Sequence, residues 1–145
     1  MKKALVIALF VGISALNISC SKDAAAQAQT IETFVKTYFS EVEVLSTIRD
    51  GLDYEVTLSD YTQIEFDGSA FGKTPEWDEV DCKHSTVYKA VPAALVPTEI
   101  ADYVSRLHSS QSIVRIAKDG RGWDIELGNG IEIEFDSKFR VIEID

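Results

Sequence analysis

The chain has 145 residues, with 24 acids against 14 basic residues and a formal net charge of −10 at pH 7. A field of that sign repels phosphate backbones and excludes nucleic acid as a partner; a basic protein, a cationic peptide or divalent cations suit it better. Two cysteines, Cys20 and Cys82, and two histidines, His84 and His108, exclude a disulfide scaffold and most His-based metal sites.

Lys2 and Lys3 open the chain, and Ala4 to Leu16 is an uncharged run too short to be a permanent membrane span. That is the pattern of a bacterial export signal. The Leu-Asn-Ile-Ser-Cys20 stretch that follows resembles the lipobox of bacterial lipoproteins, with Asn17 where Leu is usual. Lipidation of Cys20 makes residues 1–19 a signal peptide and 20–28 an anchored tether, placing the protein in the cell envelope and on the membrane through the lipid alone. The competing reading is cleavage at Ala24-Ala25-Ala26 or Ala26-Gln27-Ala28, which yields a soluble secreted periplasmic protein. With Cys20 as the first mature residue, 12 basic residues remain against 24 acids, a charge of −12. Cys82 then has no partner in the chain and reads as a buried, inert thiol.

Thr30 can cap a helix from about Ile31 to Phe39, with Ile31, Phe34, Val35 and Tyr38 on one side. Strands follow at 42–49, 54–58, 63–67 and 77–82, with turns at Asp50-Gly51 and Ser59-Asp60-Tyr61 and a longer loop over 68–76. Residues 83–96 form a connector, in which Val91-Pro92 and Val96-Pro97 exclude a long helix. A second helix runs from Glu99 to about His108, and its Ile100, Tyr103, Val104 and Leu107 share a face. Strands at 112–118 and 139–144 flank a hairpin over 123–136 that alternates apolar and acidic residues across Gly128-Asn-Gly130.

At a fixed offset of 69, residues 31–67 and 100–136 align without a gap over 37 positions, ten of them identical. Asp50-Gly51 matches Asp119-Gly120, and Ile64-Glu65-Phe66-Asp67 matches residues 133–136. Fixed-period similarity of this kind marks a duplicated architecture. A unit of about sixty residues is marginal alone, so two are expected to share a core. The expected fold is α+β: tandem units at 29–82 and 97–145, each a helix plus a four-stranded antiparallel sheet. They form one continuous sheet with both helices on one face.

The run Tyr54-x-Val56-x-Leu58, Ile64-x-Phe66-Asp67-Gly68, Trp77-x-x-Val80-Asp81, then Val91-Pro92, Leu95, Pro97, Ile100 and Tyr103, resembles the PepSY-like family. The second unit repeats it as Trp123-x-Ile125-x-Leu127, Gly130 and Ile133-x-Phe135-Asp136, with Tyr61 standing where the second turn has Gly130. The resemblance implies the fold of the β-lactamase-inhibitor protein, a concave open sheet face and no known catalysis. It covers about 31–145.

If Tyr54, Val56, Leu58, Ile64 and Phe66 face the helices, alternation turns Glu55, Thr57, Gln63, Glu65 and Asp67 to the other face. Asp124, Glu126, Glu132, Glu134 and Asp136 join them from the second unit. Val80 pointing inward puts Trp77, Glu79 and Asp81 outward. The candidate binding residues are therefore Trp77, Glu79, Glu65, Glu126 and Glu134, with Phe71 and Tyr61 extending an apolar patch beside Trp77. A solvated sheet face is the plainer reading of the acids. No HExxH, C-x-x-C or nucleophile-elbow pattern occurs, so no catalytic residue, metal ligand set or cofactor is expected. The expected function is a non-catalytic, envelope-anchored module that binds an unidentified protein or peptide on the open face, in the manner of a hydrolase or peptidase inhibitor. A small-molecule or cation sensor is the alternative.

Overall fold

The computed structural model describes residues 22–68 and 75–145. Helix α1 (Lys22–Tyr38) precedes strands β1 (Val44–Asp50), β2 (Asp53–Leu58), β3 (Gln63–Asp67) and β4 (Glu76–Asp81). A 3-10 turn at Ala93–Leu95 leads to helix α2 (Thr98–Leu107), then β5 (Ile113–Asp119), β6 (Gly122–Leu127), β7 (Glu132–Asp136) and β8 (Val141–Ile144). The eight strands pair in chain order as one open antiparallel sheet.

α1 departs from the expectation at its start. It begins at Lys22 rather than beside Thr30, so most of the stretch expected to be a tether is helical. Residues 23–29 are Asp-Ala-Ala-Ala-Gln-Ala-Gln, and alanine and glutamine are among the strongest helix formers. Thr30 is thereby an interior residue and not a cap.

The core lies between the sheet and both helices. Ile31, Val35 and Phe39 bury with Ile100 and Val104 against Val56, Ile64, Phe66 and Val80, and against Ile116, Ile125, Ile133 and Phe135. Phe34 meets the Phe66 ring edge-on at 5.2 Å, and Tyr103 meets Phe135 at 5.4 Å. These are one contact made twice, since Tyr103 and Phe135 occupy the second-unit positions of Phe34 and Phe66. Both helices therefore cover the same sheet face, and the opposite face is open, as the alternating strands require.

The duplication extends to irregularities of the sheet. The β1–β2 register shifts between Val44 and Ser46, and β5–β6 shifts between Ile113 and Arg115. β3–β4 shifts between Glu65 and Phe66, and β7–β8 between Glu134 and Phe135. Each is a bulge, which locally changes which side chains reach which face. The units join where β4 pairs β5, through Glu79↔Ala117, Val80↔Ile116 and Asp81↔Arg115. Beyond that ladder the Cys82 N–H donates to the Val114 carbonyl at 2.8 Å.

A buried polar knot fixes the connector against the first unit. The Asp60 carboxylate accepts from the Thr62 N–H at 3.1 Å, from the Thr62 hydroxyl at 3.0 Å and from the Ser85 hydroxyl. Ser85 Oγ in turn accepts from the Tyr88 N–H at 2.7 Å. Burial pushes the Asp60 carboxyl up, but the hydrogen bonds from Ser85 and Thr62 outweigh it and hold the group below the usual carboxylate range. An unpaired carboxylate this deep would be costly, so the knot stabilises only as a complete set.

Candidate functional site

The open face is an ordered array of carboxylates. Cross-strand pairing links Glu55 to Glu65, Glu65 to Glu79, Glu79 to Ala117 and Ala117 to Asp124. The same row continues from Asp124 to Glu134 and from Glu134 to Glu143. One line crossing β2 to β8 therefore carries acids on every strand except β5. Beside it runs a second line of Thr57, Gln63, Asp81, Arg115, Glu126 and Glu132. Like charges opposite one another on adjacent strands destabilise a sheet, so the pattern needs compensation.

Two cations supply part of it, both outside the expected set. Arg115 donates from Nε and from one terminal nitrogen to the two Glu79 oxygens, each at 2.7 Å, and from its other terminal nitrogen to Asp124 at 3.0 Å. Lys83 lies 2.8 Å from Glu126 and 3.6 Å from Asp81. The hydrogen bonds to Glu79, together with the one to Asp124, raise the already high pKa of Arg115 further against the opposing effect of burial. One Asp124 oxygen is buried without a hydrogen-bond partner among the described residues. Arg115 was legible in principle: with Ile116 inward, alternation turns Arg115 onto the acidic face as its lone strand cation.

Compensation stops short of the rest of the row. Among the described residues, Glu55, Glu65 and Glu134 have no ion-pair partner. Burial, then the charges of Glu79 and Glu55, push the Glu65 carboxyl above its ordinary value of 4.5. Glu65, Glu79, Glu126 and Glu134 thus stand on the open face as expected, Glu79 and Glu126 already engaged by protein cations.

Trp77 does not. It pairs with Phe66, a helix-facing residue, because the β3–β4 bulge adds a residue between Trp77 and Glu79 and reverses the parity counted from Val80. The indole packs against the core, 6.1 Å from the Trp123 ring, with Lys118 Nζ 4.5 Å from its centroid. Tyr61 is exposed in the β2–β3 turn with φ of 73°, at the opposite end of that hairpin from the Phe66–Trp77 pair. It cannot extend a patch around Trp77. Phe71 and Cys20 lie outside the described residues.

Other candidate chemistry is quiet. Among the described residues no group of three or more His, Cys, Asp or Glu side chains is placed to hold a metal ion. Cys82 is buried, and burial pushes its thiol up to about 12, which keeps it protonated at neutral pH. No described helix is long and apolar enough to cross a membrane.

The profile of the family described as "Putative beta-lactamase-inhibitor-like, PepSY-like" matches residues 21–71 and 52–143. Among solved structures, a "putative calcium-regulated periplasmic protein" of Bacteroides thetaiotaomicron is 33% identical, with a TM-score of 0.68 over 81% of this chain and 88% of that one. A "putative periplasmic protein" of Bacteroides vulgatus is 34% identical, with a TM-score of 0.69 over 86% of this chain and 94% of that one. A second from that organism, "of unknown function", is 25% identical with a TM-score of 0.68, over 86% and 96%. No curated protein matches the chain significantly.

Proposed function

The chain belongs to the PepSY-like, beta-lactamase-inhibitor-like family, and from that premise we propose that it is a non-catalytic binding module whose open sheet face receives a cationic protein or peptide. The observation that carries the reading is the acid row, in which, among the described residues, Glu55, Glu65 and Glu134 make no direct ion pair, and burial and the acidic neighbours of Glu65 hold it above its ordinary pKa against the opposing charge of Arg115. A lysine or arginine presented by a partner would relieve that repulsion, as Arg115 does for Glu79. The relatives' periplasmic description and the Cys20 context support an exported, lipid-anchored protein. Inhibition of a hydrolase or peptidase by occupation of its cleft is the form of binding that the family's description suggests.

The test is affinity capture from solubilised envelope, with Glu55→Gln/Glu65→Gln/Glu134→Gln in parallel. A protein retained by the parent and lost from the folded triple variant supports the reading. Equal retention by both defeats it.

A divalent-cation sensor is the second reading, favoured by the calcium-regulated description of one relative and by the same row of carboxylates. A calcium titration that leaves the melting temperature unchanged removes it.

A further inference from the structure

The two units are so alike in register that each outer edge of the sheet repeats one half of the seam at its centre. β1 pairs with β2 through Thr47↔Val56, Ile48↔Glu55 and Arg49↔Tyr54. β5 pairs with β6 through the matching Ile116↔Ile125, Ala117↔Asp124 and Lys118↔Trp123. At the other edge, β8 meets β7 through Glu134↔Glu143 and Ile133↔Ile144, as β4 meets β3 through Glu65↔Glu79 and Ile64↔Val80. So β1 is a second copy of β5, and β8 is a second copy of β4. β4 and β5 are mated inside the chain. Among the described residues nothing pairs with the outer edges of β1 or β8.

Both edges carry apolar side chains in water. Leu45 and Ile48 on β1 are each 57% exposed, and Ile142 and Ile144 on β8 are 63% and 49% exposed. A strand edge with free peptide groups and exposed apolar side chains is a template for strand addition, and neither proline nor lysine occurs in 44–50 or 141–144. The peptide groups point the right way. Cys82 N–H reaches the Val114 carbonyl, and Asp145 exchanges both hydrogen bonds with Glu132 at 3.0 Å. Alternation along each strand then turns the Thr47 and Ile144 peptide groups outward.

We propose that the β8 edge of one copy adds to the β1 edge of another, reproducing between molecules the β4–β5 seam within each. Ile144 of one copy lies opposite Thr47 of the next, and Glu143 opposite Ile48. Ser46 stands where the internal seam has Arg115, so the clamp on Glu79 has no counterpart. The intermolecular seam is consequently the weaker of the two, and association depends on protein concentration.

Two edge-blocking variants test this. Thr47→Pro and Ile144→Pro each remove one outward N–H and leave the inward ladder intact. In sedimentation equilibrium on protein spanning residues 22–145, the parent is expected to show concentration-dependent association. Each variant alone is expected to be monomeric, and their equimolar mixture to form a one-to-one dimer, because each retains the edge that the other lacks. A parent that stays monomeric at every concentration overturns the proposal. So does a self-associating Ile144→Pro, which means β1 pairs with β1, or a self-associating Thr47→Pro, which means β8 pairs with β8. Circular dichroism checks that both variants fold. If either does not, Ile48→Glu keeps the test open: it leaves every peptide donor in place, sets like charges opposite Glu143, and is expected to weaken association about fivefold. Unchanged association in Ile48→Glu overturns the proposal as well.

Discussion

Arg115 holds both oxygens of Glu79 at 2.7 Å across the strand pair that joins the two units. The same guanidinium reaches Asp124 on β6, so one cation binds three adjacent strands and offsets two acids of the row. Arg115→Met is expected to cost roughly 2 kcal/mol in urea denaturation, the scale of a hydrogen-bonded charge removed from a partly buried site. Replacing Glu79 and Arg115 together by Met is expected to cost less than Arg115→Met alone, because the Glu79 carboxylate is then not left without its cation, while Asp124 loses Arg115 in both variants.

Trp77→Ala separates stability from binding. The indole packs on the core beside Trp123, so its loss should lower stability by roughly 2 kcal/mol, less than for a fully buried aromatic. Partner capture by the folded variant should match that of the parent. Thermal melting and capture read the two effects separately.

Acid titration separates two carboxylates of opposite behaviour. Asp60 is held below its ordinary value, so its contribution is full above that value and is lost as pH falls through the lowered one. Asp60→Asn should therefore lose roughly 2 kcal/mol at neutral pH and little at strongly acidic pH. Glu65 is held above its ordinary 4.5, so ionising it disfavours the folded state as pH rises through the raised value. Glu65→Gln should be about 0.5 kcal/mol more stable than the parent at pH 7, and the advantage should vanish as pH falls to 4.5.

The two hairpin turns differ at one testable position. Tyr61 and Gly130 both adopt the left-handed conformation, at φ of 73° and 85°, which costs an L side chain about 1–2 kcal/mol. Tyr61→Gly regains that cost and loses about 0.5–1 kcal/mol to the greater freedom of the unfolded chain. A neutral or slightly stabilising change in the denaturation midpoint is the expected result. Gly130→Ala should destabilise by about 1 kcal/mol.

The fold was legible because its two strongest signals agree. Alternation fixed the buried faces of β2, β3, β6 and β7, and the offset of 69 that relates Phe34/Phe66 to Tyr103/Phe135 pointed to two copies of one unit. The site was legible only where alternation runs unbroken. It placed Glu65, Glu126 and Glu134 on the open face but misplaced Trp77, since a bulge adds a residue without changing the composition of a strand. The start of α1 was hidden by the expectation of a tether, which weighed an anchor at Cys20 above the helix propensity of Ala24 to Gln29. The union of Asp60 with Ser85 depends on how the connector folds back, and no periodicity reports that.

Carboxyl footprinting of the protein alone and with a protein retained in the proposed capture reads the proposed face most directly. Reduced labelling of Glu55, Glu65, Glu134 and Glu143 in the complex, with the exposed helix acids Glu99 and Asp102 labelled as before, is the predicted result. Unchanged labelling along the row, with protection at Glu99 or Asp102 instead, would contradict a binding site on the open sheet.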